Sequence, residues 1–147
     1  MGAVLALSVG GSALAAPTET VLYAFQGGSD GSDPSGQLLM DHSGNLYGTT
    51  TTGGLFQGLG SAFGSGTVYK ISPSGQYSVL YRFNGGTDGL NPSAGLIADE
   101  GGNLYGTTQL GGTTGGVEGT LGNGTVFKLS PSGQYSVLYR FKGTTDG

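Results

Sequence analysis

The stretch GNLYGTT at residues 44–50 recurs without change at residues 102–108. An identical seven-residue copy within a chain of 147 residues asks for a period, and the period is 58. Phe25, Phe83 and Phe141 obey it, as do Asp30, Asp88 and Asp146. Asp41 pairs with Asp99 at the same offset, and Lys70 with Lys128. Residues 26–83 align with residues 84–141 without a gap, and 35 of the 58 positions are identical. Self-similarity at one fixed spacing marks a tandem array. The chain divides accordingly into an apolar leader (1–15), a segment matching the end of a repeat and expected as a strand (16–25), repeat 1 (26–83), repeat 2 (84–141) and the start of a third repeat (142–147).

Each repeat reads as four strands. In repeat 2 they are AGLIAD (94–99), NLYGTT (103–108), GTVFKLS (124–130) and QYSVLYRF (134–141). Their β-branched and aromatic content favours strand over helix. DEGGN (99–103) and SPSG (130–133) are tight turns, with Gly, Asn and Pro where those residues ease the backbone. The remaining connections are long: 26–35 and 51–65 in repeat 1, 84–93 and 109–123 in repeat 2. Four short antiparallel strands at this spacing predict an all-β fold of β-propeller-like blades, two of them complete. A β-solenoid is the competitor, but its rungs run shorter, roughly 20–30 residues. GNLYGTT then becomes a hairpin exit followed by a blade's second strand. Leu46 and Tyr47 are expected on opposite faces, Gly48 at a close backbone approach near the axis, and the threonines at the strand's end.

The runs DGLNPSAGLIADEGGNLYGTT, GTVFKLSPSG and YSVLYRF resemble the GloVer (Gloeo/Verruco) tandem repeat of bacterial proteins. The resemblance covers nearly all of residues 21–147, with several motifs in the same order. It implies a secreted or cell-surface protein, often anchored at its end, and no established activity. The chain stops inside a third repeat without an anchoring segment, so a piece of a longer array is expected, with further repeats or other subunits completing a ring.

Composition narrows the function. Glycine supplies 33 residues, yet no every-third-residue period exists, so collagen is excluded. The net charge is −4, and the five Lys and Arg residues form no cluster, which argues against nucleic acid. No cysteine is present, which removes disulfides, thiolate metal sites and a cysteine nucleophile. AVLALSVGGSALAA (3–16) reads as a signal peptide cut after Ala13-Leu14-Ala15, although no basic residue precedes it. The run is short for a bilayer span, and no second apolar segment of spanning length follows.

Repeat equivalence also sorts candidate sites. A residue the fold needs recurs in every repeat, whereas a catalytic residue is needed once. Asp41 and Asp99 recur and are expected to cap their hairpins. Tyr47, Tyr105, Tyr77 and Tyr135 are expected in packing, and Lys70, Lys128, Arg82 and Arg140 as cross-strand partners or solvated charges. His42 is the single histidine, so a multi-histidine metal set is impossible. The most suggestive constellation is DGSDP (30–34) with DGLNP (88–92). Asp30, Asp33, Asp88 and Asn91 offer oxygen ligands of the kind Ca²⁺ takes, with a turn stabilised by Asp and Pro as the plainer reading. Strand alternation gathers the long connections at one end, together with Glu118. Recognition is expected there, where the two copies differ most.

The expectation is a non-enzymatic secreted or surface module with an interaction or structural role. A carbohydrate-binding propeller is the alternative, weakened by the absence of Trp, with a surface glycan or protein as partner. A propeller enzyme is less favoured, since its site would need blades not contained in this chain.

Overall fold

A computed structural model describes residues 18–54, 63–112, 122–143 and 146. The apolar leader and Glu118 lie outside the described residues. Among the described residues, eight strands form two four-stranded antiparallel sheets. Sheet 1 holds β1 (Ser32–Met40), β2 (Leu46–Thr52), β3 (Thr67–Ile71) and β4 (Tyr77–Arg82) in sequential order. Sheet 2 repeats the order with β5 (Ile97–Ala98), β6 (Leu104–Thr108), β7 (Thr125–Leu129) and β8 (Tyr135–Arg140). The described residues contain no helix. The fold is all-β, as expected from the repeat, with one blade-like sheet per period.

The hairpins show why the sequence folds at these points. Asp41 N–H donates to Asn45 O at 3.0 Å, and Gly44 N–H to Asp41 O at 3.0 Å. Gly44 has φ +78° and its counterpart Gly102 +75°, a conformation glycine adopts without a Cβ penalty. Ser72 and Ser130 start equivalent turns, their hydroxyls accepting from the amides of Gln76 and Gln134. Local side-chain acceptors thus complete turns that tight hairpins would otherwise leave short of partners.

Three expectations need correction. Residues 18–25 form no strand; within this chain they have no ladder of their own. β1 begins at Ser32, inside the segment read as a long loop, because Ser32, Pro34 and Ser35 register against Thr52, Thr50 and Thr49. That pairing also carries β2 on to Thr52, beyond the expected end of the strand. Finally, the Cβ position of Gly48 lies 2.4 Å from the hydroxyl of Tyr69 in its own sheet. It makes room for a side chain, not for a neighbouring backbone.

The close approach of the two sheets lies elsewhere. A Cβ on Gly36 would stand 2.5 Å from Gly95 N, and one on Gly95 2.9 Å from Gln37 O. Ser35 Oγ donates to Ser93 O at 3.1 Å and Thr49 Oγ1 to Ala94 O at 3.2 Å. At the β4 side, large aromatics hold the sheets apart. Tyr81 stacks on Tyr135 with centroids 4.0 Å apart, and Phe83 meets Phe127 edge-on at 5.4 Å. Glycines at one edge and aromatics at the other open the sheets like a wedge.

The core fills that wedge. Val68 and Phe83 from repeat 1 bury against Leu96, Leu104, Phe127 and Leu129 from repeat 2. A bulge assists: Val68 registers with Tyr81 but Tyr69 with Val79, so Leu80 is the extra residue. Leu80 and Tyr81 both pack on the inter-sheet core as a result. The bulge recurs in repeat 2 between Val126 and Phe127.

Candidate functional site

Of the expected ligand residues, Asp30, Asp33, Asp88 and Asn91 are described; they sit at one end of the sheets, and each has work within the fold. Asp30 accepts from Tyr23 Oη at 2.9 Å, Gln26 N at 2.8 Å and Gly28 N at 3.2 Å. Desolvation opposes its ionisation, but the donated hydrogen bonds outweigh it and hold the carboxyl below its ordinary range. Asp88 repeats the arrangement, with Tyr81 Oη at 2.8 Å and Asn84 N at 3.0 Å. Asp146 repeats it again, accepting from Tyr139 Oη at 2.5 Å and Lys142 N at 2.8 Å. The result is a clasp, Tyr-x-Phe followed by Asp, present three times at the chain's own period.

Asp33 and Asn91 take a different part. Both have positive φ, +54° and +57°, just before a proline. Asp33 accepts from Thr52 Oγ1 at 2.8 Å, while the Asn91 backbone joins Ser65 and Gln109. Among the described residues, no three His, Cys, Asp or Glu side chains gather as metal ligands would. Asp30 and Asp88 serve in clasps, and Asp33 and Asn91 lie in turns. Residues 55–62 and 113–121, which carry the divergent loops, lie outside the described residues.

A cleft lies at the opposite end, between the Asp41–Asn45 and Asp99–Asn103 hairpins. It has a volume of about 440 Å³. Leu39, Met40, Tyr47, Ala98 and Leu104 give it apolar walls, and the two hairpin tips supply Asp41, His42, Asp99 and Glu100. A smaller cleft of about 210 Å³ adjoins it through Tyr47, Gly102 and Leu104. Expectation had placed recognition only at the long-loop end. This gap is a property of two sheets side by side, which no single repeat's sequence displays.

The carboxylates at that cleft are nonetheless hairpin caps. Asn45 and Tyr47 both donate to Asp41 Oδ2, at 2.8 Å and 3.0 Å. Asn103 and Tyr105 do the same for Asp99 Oδ2, each at 2.8 Å. The side-chain amides of Asn45 and Asn103 are the main cause that lowers each aspartate to about 2. Lys70 lies 5.8 Å from the Tyr47 ring and Lys128 5.7 Å from the Tyr105 ring. Each is also its tyrosine's cross-strand partner, so the expected pairing role holds. His42 is exposed at the hairpin tip.

Four of the tyrosines stack on one another in pairs. Tyr23 stacks on Tyr77 as Tyr81 stacks on Tyr135. Burial raises the hydroxyl pKa of Tyr77, Tyr81 and Tyr135. Tyr77 Oη donates to Asp30 O, and Tyr135 Oη to Asp88 O. Sequence reasoning found the Phe and Asp triplets separately and missed the tyrosine that joins them. The signal was present, since Tyr23, Tyr81 and Tyr139 follow the same spacing.

Two blade-like sheets held by recurring clasps define a tandem-repeat all-β protein. The Gloeobacter/Verrucomicrobia repeat family matches residues 2–147, and the chain belongs to that family. A search of curated proteins finds no match.

Proposed function

We propose that this chain is a non-enzymatic, secreted or cell-surface repeat module whose sheets stack face to face as the blades of a propeller-like array. One observation supports it above the rest. Aspartates and threonines that recur with the period help build the repeat. Asp30, Asp88 and Asp146 close clasps, and Asp41 and Asp99 cap hairpins. Buried hydroxyl pairs, Thr50 with Thr67 and Thr108 with Thr125, bond each other within their sheets. Chemistry spent on self-assembly leaves display as the array's use, with partners meeting loops and inter-blade clefts carried on a rigid scaffold.

The extracellular part of the proposal rests on the leader. Fusing residues 1–20 to a reporter active only after export is the test. Export, with cleavage leaving Ala16 or Pro17 at the new terminus, is the expected result. A reporter kept inside with residues 1–15 uncut would overturn secretion by this leader. Among the described residues no helix is long and apolar enough to cross a membrane.

A further inference from the structure

We propose that the cleft between the Asp41–Asn45 and Asp99–Asn103 hairpins is a docking groove for an extended segment of a partner protein, one that sets a single basic side chain among apolar ones. The inference deepens the display reading above and rests on it, because the groove exists only where two sheets stack. One wall is repeat 1, with Leu39, Met40 and Tyr47, and the other is repeat 2, with Ala98 and Leu104. Both walls come from consecutive repeats, so the contact between them defines the groove. Its volume of about 440 Å³ lies within the range of roughly 300–1,000 Å³ that binding pockets take. The smaller cleft continues it past Tyr47 and Leu104 to Leu80, Leu129 and Pro131. An apolar path of that extent suits several residues of extended chain, with pockets for successive side chains.

Repeat equivalence separates the residues the fold needs here from those it does not. Asp41, Gly44, Leu46 and Tyr47 recur as Asp99, Gly102, Leu104 and Tyr105, whereas Met40 aligns with Ala98 and His42 with Glu100. Met40 is 67% exposed, so the core makes little use of its bulk, and its flexible thioether chain adapts to what lies against it. The mouth of the groove carries three carboxylates, Asp41, Asp99 and Glu100, beside His42. Asp41 and Asp99 are engaged by their caps and stand as fixed negative charges. The Asn45 and Asn103 amides hold both at about 2, so both are ionised at neutral pH. Glu100 is exposed and takes no part in the Asp99 cap, which leaves it for direct pairing. An arginine side chain fits this mouth: its guanidinium keeps its charge and its apolar stem lies along Met40 and Leu104. Lys70 lines the smaller cleft at the other end and repels a second cation. The complementary segment is therefore one basic residue at the hairpin tips followed by apolar residues, and not a basic run.

The probe is the synthetic peptide acetyl-Arg-Leu-Leu-Ala-amide, titrated into the isotope-labelled full chain and followed by backbone amide shifts. The shifts should move at residues 39–47 and 98–104. Replacing the peptide's Arg by Gln should weaken binding several-fold, and so should Glu100→Gln or Met40→Ser in the protein. Glu100→Lys should abolish it. Neither position caps a hairpin, so these variants should melt as the parent does; where one does not, the two peptides compared on the parent still decide. A peptide of arginines alone that binds as tightly, shifts confined to the long-loop end, or an affinity indifferent to Glu100 and to the peptide's Arg would overturn the inference. The same sample separates the groove from the stacking beneath it. Cross-relaxation between the Phe83 and Phe127 rings, whose centroids lie 5.4 Å apart, reports stacked sheets without any peptide. Ring contacts present with no peptide binding would remove the groove alone, and ring contacts absent would remove the stacked-blade reading itself.

Discussion

At the residue scale, two kinds of position carry the repeat: carboxylates that accept several hydrogen bonds and glycines that admit a neighbour. Asp41 and Asp99 ionise near 2 in the fold against an ordinary 3.8. A carboxyl depressed by folding contributes stability that is full above its unfolded pKa and is lost as pH falls through the folded one. The thermal midpoint should therefore drop as pH falls from about 4 to about 2. Asp41→Asn/Asp99→Asn should lower the midpoint at neutral pH and flatten that slope. Part of the slope remains, because Asp30 and Asp146 are also held low. Thermal melts across pH 5 to 2 decide it; a slope unchanged by the double substitution would remove the caps from the account.

The glycines give a second contrast at this scale. Gly36 and Gly75 both have positive φ, +77° and +81°. Gly75 has open space where a Cβ would go, whereas Gly36 faces the Gly95 backbone. Gly75→Ala should cost only the left-handed backbone penalty, about 1–2 kcal/mol. Gly36→Ala adds an overlap between sheets, and overpacking alone costs about 1–3 kcal/mol. Urea denaturation should rank Gly36→Ala clearly below Gly75→Ala, and equal costs would contradict a close contact at Gly36.

At the element scale, the strands were readable because β-branched and aromatic runs end at Gly, Pro and Asn. The expected hairpins at 99–103 and 130–133 are present for the reasons their residues suggest. What the sequence concealed was side-chain direction. Simple alternation along YSVLYR cannot send both Leu80 and Tyr81 toward sheet 2; a bulge does, and bulges depend on the partner strand. The Ser32–Ser35 pairing was hidden likewise, because Gly, Asp and Pro at 31–34 spell a loop until Thr49–Thr52 supply partners. Burial tests the pairing of faces. Phe83 is fully buried between the sheets, and its equivalent Phe141 is only partly covered. Phe83→Ala should cost about 3–5 kcal/mol, the range for large core truncations. Phe141→Ala should cost much less. Chemical denaturation of the two variants measures the difference, and similar costs would mean the faces are not related as described.

At the scale of the whole molecule, the period was legible and the direction of stacking was not. Phe25, Phe83 and Phe141 announced a repeat, but only packing reveals that Val68 and Phe83 of the first repeat close on Leu96, Leu104, Phe127 and Leu129 of the second. The candidate site was the least legible part. Asp30 and Asp88 look like ion ligands in isolation, and only the tyrosine seven residues before each explains them. The cleft between the hairpin tips belongs to two sheets at once, so neither repeat encodes it alone. All of this depends on one claim, that successive repeats bury the same pair of faces against each other. The direct test is equilibrium urea unfolding of a chain in which residues 84–141 are duplicated after Phe141. If the added repeat covers Ile97, Leu138 and Tyr139, unfolding should be a single transition with a higher midpoint and a steeper slope, as nearest-neighbour coupling requires. An unchanged midpoint, with the added repeat melting in a separate transition, would contradict it.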